Sequence, residues 1–379
     1  MKLFTKILLT TALLGGMAVP ALAQTTAEKV DAMFGPAVTP AEPVPAAPAG
    51  PAVVAPVLTG DSVNNADMAA YVTERAQPAA AVPVPAVADD GTPAAPPAKP
   101  KVYANPAIAR LQVLLDQAGA SPGVVDGFAG DNLTKAIAAF QIMAGLPSDG
   151  LLSADVLAKL DQHQPVIGVY SITAEDGSAL TAPAPVDYAE KATMSFLGYS
   201  SLQEELAERF HMDIDFLKAL NPRAQFVAGE DIDVVITGAN RTGAVARIEA
   251  DKTLRQVRAY DAAGTLLAAY PATIGSEDNP SPSGTYTVMS VTPMPNYTYN
   301  PKINFQQGEN TGVLTIPPGP NGPVGSMWIA LSKPTFGIHG TPEPSLIDKT
   351  GSHGCIRLTN WDADELAGMT SKGVVVTFL

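Results

Sequence analysis

The chain has 379 residues, with 37 Asp and Glu against 23 Lys and Arg, a formal net charge of −14. That balance argues against nonspecific binding to nucleic acid or anionic membranes, since both need a cationic face. The single cysteine, Cys355, excludes an intramolecular disulfide and any cysteine cluster that could hold zinc or iron–sulfur.

Residues 1–23 carry Lys2 and Lys6, then an apolar run, then Ala21–Leu22–Ala23. This order predicts a cleavable secretory signal, with Gln24 first in the mature chain and no later transmembrane segment. Residues 24–101 read mostly as a disordered spacer. Its stretches at 36–58 and 78–100 are rich in Ala, Pro and Val, which favour extended, donor-poor chain, and one short helix is expected at 64–77 between them. Residues 102–163 predict a small three-helix domain: Ile108, Leu111, Leu114 and Leu115 on one face, then Leu133, Ile137 and Phe140, then a short helix capped by Ser153. After a linker at 164–197, residues 198–240 predict a small α+β module. It has one helix around Leu202, Leu206 and Phe210, a second that stops before Pro222, and a strand near 231–236.

Residues 245–379 are close to neutral, with 9 basic and 11 acidic residues. Gly and Pro punctuate short apolar runs there, predicting an all-β domain with one helix beginning near Asn360. The chemistry-bearing residues gather in FGIHGTPEPSLIDKTGSHGCIRL. Two of only four histidines, His339 and His353, lie within 16 residues of the only cysteine. A free thiol is mostly protonated at neutral pH. A neighbouring imidazole that takes its proton makes it a nucleophile toward an amide carbonyl, leading to a thioester. Backbone N–H groups around His353, Gly354 and Cys355 are candidate oxyanion donors, and Arg357 is a candidate fork for a substrate carboxylate. Zinc is the rival reading. Cys355, His339 and His353 would be three ligands, but Asp348 has no spacing that completes the set.

The residues also carry resemblances. Leu111, Gln112, Asp126, Gly127, Gly130, Thr134, Phe140, Gln141, Gly145, Leu146 and Gly150 stand in an order that resembles the type 1 peptidoglycan-binding family, with Gly130–Asp131 where that family has Gly-Pro. The helix pair with Asn221–Pro222 and GEDIDVV resembles a degenerate LysM glycan-binding module. His339–Gly340, then Ser352–His353–Gly354–Cys355 with Arg357 two positions later, closely resembles the L,D-transpeptidase (YkuD) catalytic domain.

That resemblance implies a C-terminal β-sandwich with a short helix, its cleft under a lid at about 293–323. It implies catalytic roles for Cys355 as nucleophile, His339 as proton carrier, His353 as a supporting group, and Gly340 and Gly354, with Arg357 and Ser352 toward the substrate. No cofactor or metal is implied. The implied substrate is the tetrapeptide stem of peptidoglycan in the periplasm. Cys355 would displace D-Ala, and an amine of a second stem would resolve the thioester into a 3→3 cross-link. Water as acceptor would make a carboxypeptidase, and an outer-membrane lipoprotein lysine would make an anchoring enzyme. A cell-wall binding protein that keeps the fold without the chemistry is the alternative. On this reading residues 102–163 bind or position peptidoglycan without doing chemistry, removal of residues 24–163 leaves thioester formation largely intact, and His339 sustains a low-pKa limb in alkylation of the thiol.

Overall fold

The computed structural model describes residues 58–76, 103–160, 163–276, 279–352 and 354–379. The expected signal sequence, both Ala/Pro stretches apart from Leu58, and His353 lie outside the described residues.

Within the expected spacer the chain forms two helices where one was predicted. α1 (Gly60–Asn64) starts in a capping box in which Thr59 and Ser62 exchange side-chain and backbone bonds, and α2 (Met68–Ala76) follows. Val63 and Met68 are buried against the next domain, so this short segment gains its stability by docking. There α3 (Pro106–Gln117), α4 (Asp131–Met143) and α5 (Ala154–Lys159) form the three-helix region. Asn105 caps the first and Ser153 the third.

Five of the residues that carried the peptidoglycan-binding resemblance, Gln112, Asp126, Gly127, Gln141 and Gly150, belong to the clamps of two matching turns. Gln112 Nε2 donates to Asp126 Oδ1 at 2.8 Å while its Oε1 accepts from Gly127 N, also 2.8 Å. Gln141 repeats this with Asp149 Oδ1 and Gly150 N at 2.7 and 2.8 Å. Each turn needs glycine, since Gly127 has φ +74° and Gly150 φ +71°.

β1 (Ile167–Ser171) pairs antiparallel with β2 (Asp231–Val235). Between them come α6 (Tyr188–Lys191), α7 (Leu202–Arg209) and α8 (Ile214–Leu220). No separate LysM-like module stands at 198–240. Its first strand lies upstream, in the stretch read as linker. Its apolar residues Leu206, Met212, Leu217 and Ile232 join Leu111, Leu115 and Ile137 of the three-helix region in one continuous core.

The C-terminal part is one mixed sheet in the order β5-β4-β3-β13-β7-β10-β11-β12-β6. In chain order the strands are β3 (Arg247–Asp251), β4 (Gln256–Tyr260), β5 (Leu266–Pro271), β6 (Thr273–Ile274), β7 (Gly284–Pro293), β10 (Met327–Leu331), β11 (Gly337–His339), β12 (Ile356–Arg357) and β13 (Val375–Phe378). β8 (Tyr297–Tyr299) and β9 (Leu314–Ile316) form a separate hairpin, and α9 (Asn360–Met369) is capped by Thr359. The expected two-sheet sandwich is therefore corrected. The ten-residue β7 pairs with β13 along one half and with β10 along the other, which joins both halves into one sheet. β5 and β6 sit at opposite edges yet are separated in sequence only by Ala272, so the sheet must curl until it nearly closes as a barrel. Two pairs, β3–β13 and β11–β12, are parallel.

Candidate active site

The register of three short strands decides what meets. Ile329, Ile338 and Ile356 face one another across β10, β11 and β12, and all three are fully buried. Alternation along a strand then puts their neighbours on the opposite face. Trp328 pairs with His339, and His339 with Arg357. Trp328 stacks on the imidazole with centroids 5.6 Å apart and planes 25° from parallel. Cys355 precedes β12 by one residue and lies with His339, Arg357, Trp328 and Ser352 on the wall of one cleft of about 440 Å³.

His339 is buried, and its Nδ1 lies 2.7 Å from the Gly340 carbonyl. A carbonyl only accepts, so Nδ1 carries the proton and Nε2 keeps a lone pair. Burial, reinforced by the Arg357 charge, pushes the imidazole down to about 3. Burial pushes the Cys355 thiol up, with the Gly337 backbone and Arg357 acting the other way. Both directions favour a neutral thiol and a neutral imidazole at rest. A resting thiolate–imidazolium pair, the source of the expected low-pKa alkylation limb, is therefore disfavoured. The Cys355 Sγ lies 3.6 Å from the Thr335 carbonyl as donor, in the β10–β11 turn where Thr335 itself has φ +69°.

Ser352 does not face the cleft as a free hydroxyl. Its Oγ accepts from Gly275 N at 2.8 Å and donates to the Cys355 carbonyl at 2.7 Å, tying the cysteine segment to the strand-edge residue Gly275. Gly354 has φ +103°, and a Cβ there would press on the Phe336 ring. Behind Gly340 lies Asn360. Its Oδ1 accepts from Ser326 N at 3.0 Å, and its Nδ2 donates to Glu208 of α7 at 2.8 Å. Burial pushes the Glu208 carboxyl up to about 8, and its Oε1 is without a partner among the described residues. The sequence pattern gave no sign of this link from α7 to the histidine's backbone support.

The pin on the loop between the two site motifs, and the part of the cleft roof made by α6, were also not anticipated. The 341–352 loop between His339 and Cys355 is pinned by Asp348, which pairs with Lys135 of α4 and with Arg255. Thr273 Oγ1 accepts from its backbone N at 2.9 Å. The cleft roof consists of the β8–β9 hairpin, within the expected lid, and of α6, within the stretch read as linker. Tyr188 of α6 packs edge-on against Tyr297 and Tyr299. Asp187, whose side chain accepts from Ala189 N and Glu190 N, is a local signal that this part of the linker folds. Among the described residues, no group of three or more His, Cys, Asp or Glu side chains is placed to hold a metal, and no helix is long and apolar enough to cross a membrane.

The molecule thus combines a curled mixed sheet, with a thiol, an imidazole and a guanidinium on one cleft wall, and a small helical region with paired turns. Residues 246–377 match the family model of the L,D-transpeptidase catalytic domain, and residues 104–160 match that of the "Putative peptidoglycan binding domain". Two relatives share the name "Putative L,D-transpeptidase YkuD". The chain is 31% identical to the one from Bacillus licheniformis over 178 residues, covering 46% of this chain and 91% of the relative. It is 50% identical to the one from Bacillus subtilis over 58 residues, 15% of this chain and 35% of that relative. The chain belongs to the L,D-transpeptidase (YkuD) family. Among solved structures, a cysteine-to-serine mutant of the Enterococcus faecium L,D-transpeptidase aligns at 22% identity and TM-score 0.28, covering 36% of this chain and 50% of that one. An L,D-transpeptidase from Mycobacterium smegmatis aligns at 21% identity and TM-score 0.29, covering 40% and 64%.

Proposed function

We propose that this protein is a cysteine-dependent L,D-transpeptidase that forms 3→3 cross-links between peptidoglycan stems in the periplasm. The observation that carries the reading is the placement of Cys355, His339 and Arg357 on the wall of one cleft. Cys355 Sγ attacks the carbonyl between the third stem residue and D-Ala, and Nε2 of His339 takes the thiol proton as the bond forms. Because the imidazole is neutral and held by Gly340, it is ready to accept that proton without first losing one. Backbone N–H groups near Gly354 and Cys355 serve the oxyanion, with His353 as a supporting group. The proton passes to the departing D-Ala nitrogen as the intermediate collapses to a thioester. The amine of a second stem then attacks that thioester and gives its proton to His339, and the Cys355 thiol is restored. Arg357, which has no ion pair among the described residues, holds a carboxylate of the donor. Water or a lipoprotein lysine in place of the second stem would give the carboxypeptidase or anchoring reactions. The three-helix region holds the enzyme on the wall, and secretion follows from the residue 1–23 signal.

Intact-mass analysis with a tetrapeptide stem tests this. The expected result is a tripeptide acyl adduct on Cys355 with stoichiometric D-Ala, its loss in Cys355→Ser, and a 3→3 dimer on adding a second stem. No adduct and no D-Ala from the unsubstituted chain would refute it.

A further inference from the structure

The connection from β1 to α7, residues 173–200, lies outside the catalytic-domain match at 246–377, yet it brings a side chain to the cleft. Tyr188 lines the same cavity as Cys355 and Arg357. Its position is held from several directions. Its backbone N donates to Gln307 Oε1 at 2.9 Å, and Gln307 Nε2 returns a bond to the Val186 carbonyl at 3.1 Å. Its ring stands edge-on to Tyr297, Tyr299 and Phe305, with centroids 6.0, 5.2 and 6.0 Å away. The ring is thus fixed by packing, whereas its hydroxyl has no hydrogen-bond partner among the described residues. Two cations act near that phenol: Lys191 Nζ stands 5.9 Å from the ring centroid, and Arg357, mostly buried and also without an ion pair among the described residues, lines the same cavity and acts on the hydroxyl's charge. A partly buried guanidinium and a phenolic O–H that share a cleft, neither one hydrogen-bonded among the described residues, form a donor set for one anionic group.

We propose that Tyr188 is a substrate-binding residue that holds, together with Arg357, the terminal carboxylate of the donor stem, so that the 173–200 connection sets selectivity for a free tetrapeptide acid. This rests on the transpeptidase reading, since the terminal carboxylate belongs to the D-Ala that leaves. The phenol donates its proton to one carboxylate oxygen while the guanidinium pairs with the other. Blocking the carboxylate as an amide removes the charge and leaves the donors poorly matched.

The test is calorimetric binding of a tetrapeptide acid and of its C-terminal amide to the full chain carrying Cys355→Ser, which cannot form the thioester. Tyr188→Phe keeps the ring packing and removes only the hydroxyl. The expected result is about tenfold weaker binding of the acid and less than twofold change for the amide. Equal weakening of both peptides would reduce Tyr188 to packing and overturn the proposal. An unchanged acid affinity, or no binding of either peptide before Tyr188 is replaced, would overturn it as well. Failure of the transpeptidase reading looks different: the chain with Cys355 intact would release no D-Ala while the acid-selective binding persisted.

Discussion

At the residue scale, the His339 imidazole is fixed by one backbone contact and two neighbouring side chains. The Gly340 carbonyl sets its tautomer, Trp328 sets its plane, and Asn360 closes the space behind Gly340. A methyl group on Gly340 would run into Asn360 Oδ1, whose amide is already held by Ser326 and Glu208 and cannot swing away. Gly340→Ala should therefore cost about 3 kcal/mol of stability and most of the turnover, checked by denaturant titration and D-Ala release. The thiol offers a pH test. With Cys355 pushed up and His339 pushed down, iodoacetamide should react along a single limb that keeps rising above the free-thiol range, with no plateau near neutrality. Arg357 lowers the thiol, so Arg357→Gln should move that limb to still higher pH. A plateau below pH 7 would show that a thiolate–imidazolium pair forms at rest. The cysteine, histidine and arginine were legible from their rarity and spacing. Ser352 as a backbone tie and Trp328 as the imidazole's stacking partner were not, because both depend on which strand lies next to which.

At the scale of elements, the 341–352 loop joins the two halves of the site, and α4 of the helical region holds it. Asp348 accepts from Lys135 and Arg255, and its left-handed backbone (φ +68°) is kept in place by Thr273. Asp348→Asn keeps a side chain that tolerates this conformation and removes only the charge. It should cost about 1–2 kcal/mol, since the pair is largely buried and Lys135 loses its counterion. Amide exchange at Ile347 and Asp348 should quicken, whereas α9 should keep its protection. Periodicity found α3, α4, α7 and α8 and the longer strands, because each has a face to bury, and capping signals marked α5 and α9. It missed α1, β1 and α6. These are short, and tertiary contacts supply most of their stability: Asn64 bonds to the backbone of residues 166 and 167, and Tyr188 rests in the β8–β9 aromatic cluster.

At the scale of the whole molecule, the helical region is part of the packing of the sheet. Ala269 of β5 exchanges backbone bonds with Gly119 and Ser121 at 2.9 Å each, so the three-helix region covers the open edge of the sheet. Tyr260, Leu266 and Ala269 belong to the N-terminal core. The expectation that residues 24–163 can be removed without harm to catalysis is replaced by its opposite. That deletion should give aggregation and loss of thioester formation, checked by light scattering and intact mass. The buried Glu208 supplies a pH signature of the same junction. Its carboxyl is raised from about 4.5 when unfolded to about 8 when folded, so its contribution is complete below pH 4.5 and is lost as pH rises toward 8. Stability should fall across that window, and Glu208→Gln should recover a few degrees of Tm at pH 8.5. Asp362, also buried and raised to about 8, keeps part of the slope in that variant.

The sequence by itself determined the family and the candidate chemistry: one thiol, two histidines and an arginine at a family spacing, and a small helical region with the residue order of a peptidoglycan-binding domain. These are local properties, set by residue type and by distances of a few residues along the chain. Tertiary structure alone decided three things: that the sheet curls into one near-barrel, that no separate LysM-like module exists, and that α4, α6 and α7 each reach the cleft or its supports. The physical reason is that buried apolar surface is indifferent to sequence distance. Leu206, Leu111 and Ala269 share one core because packing joins whatever faces remain uncovered, and no periodicity along the chain records which faces those will be.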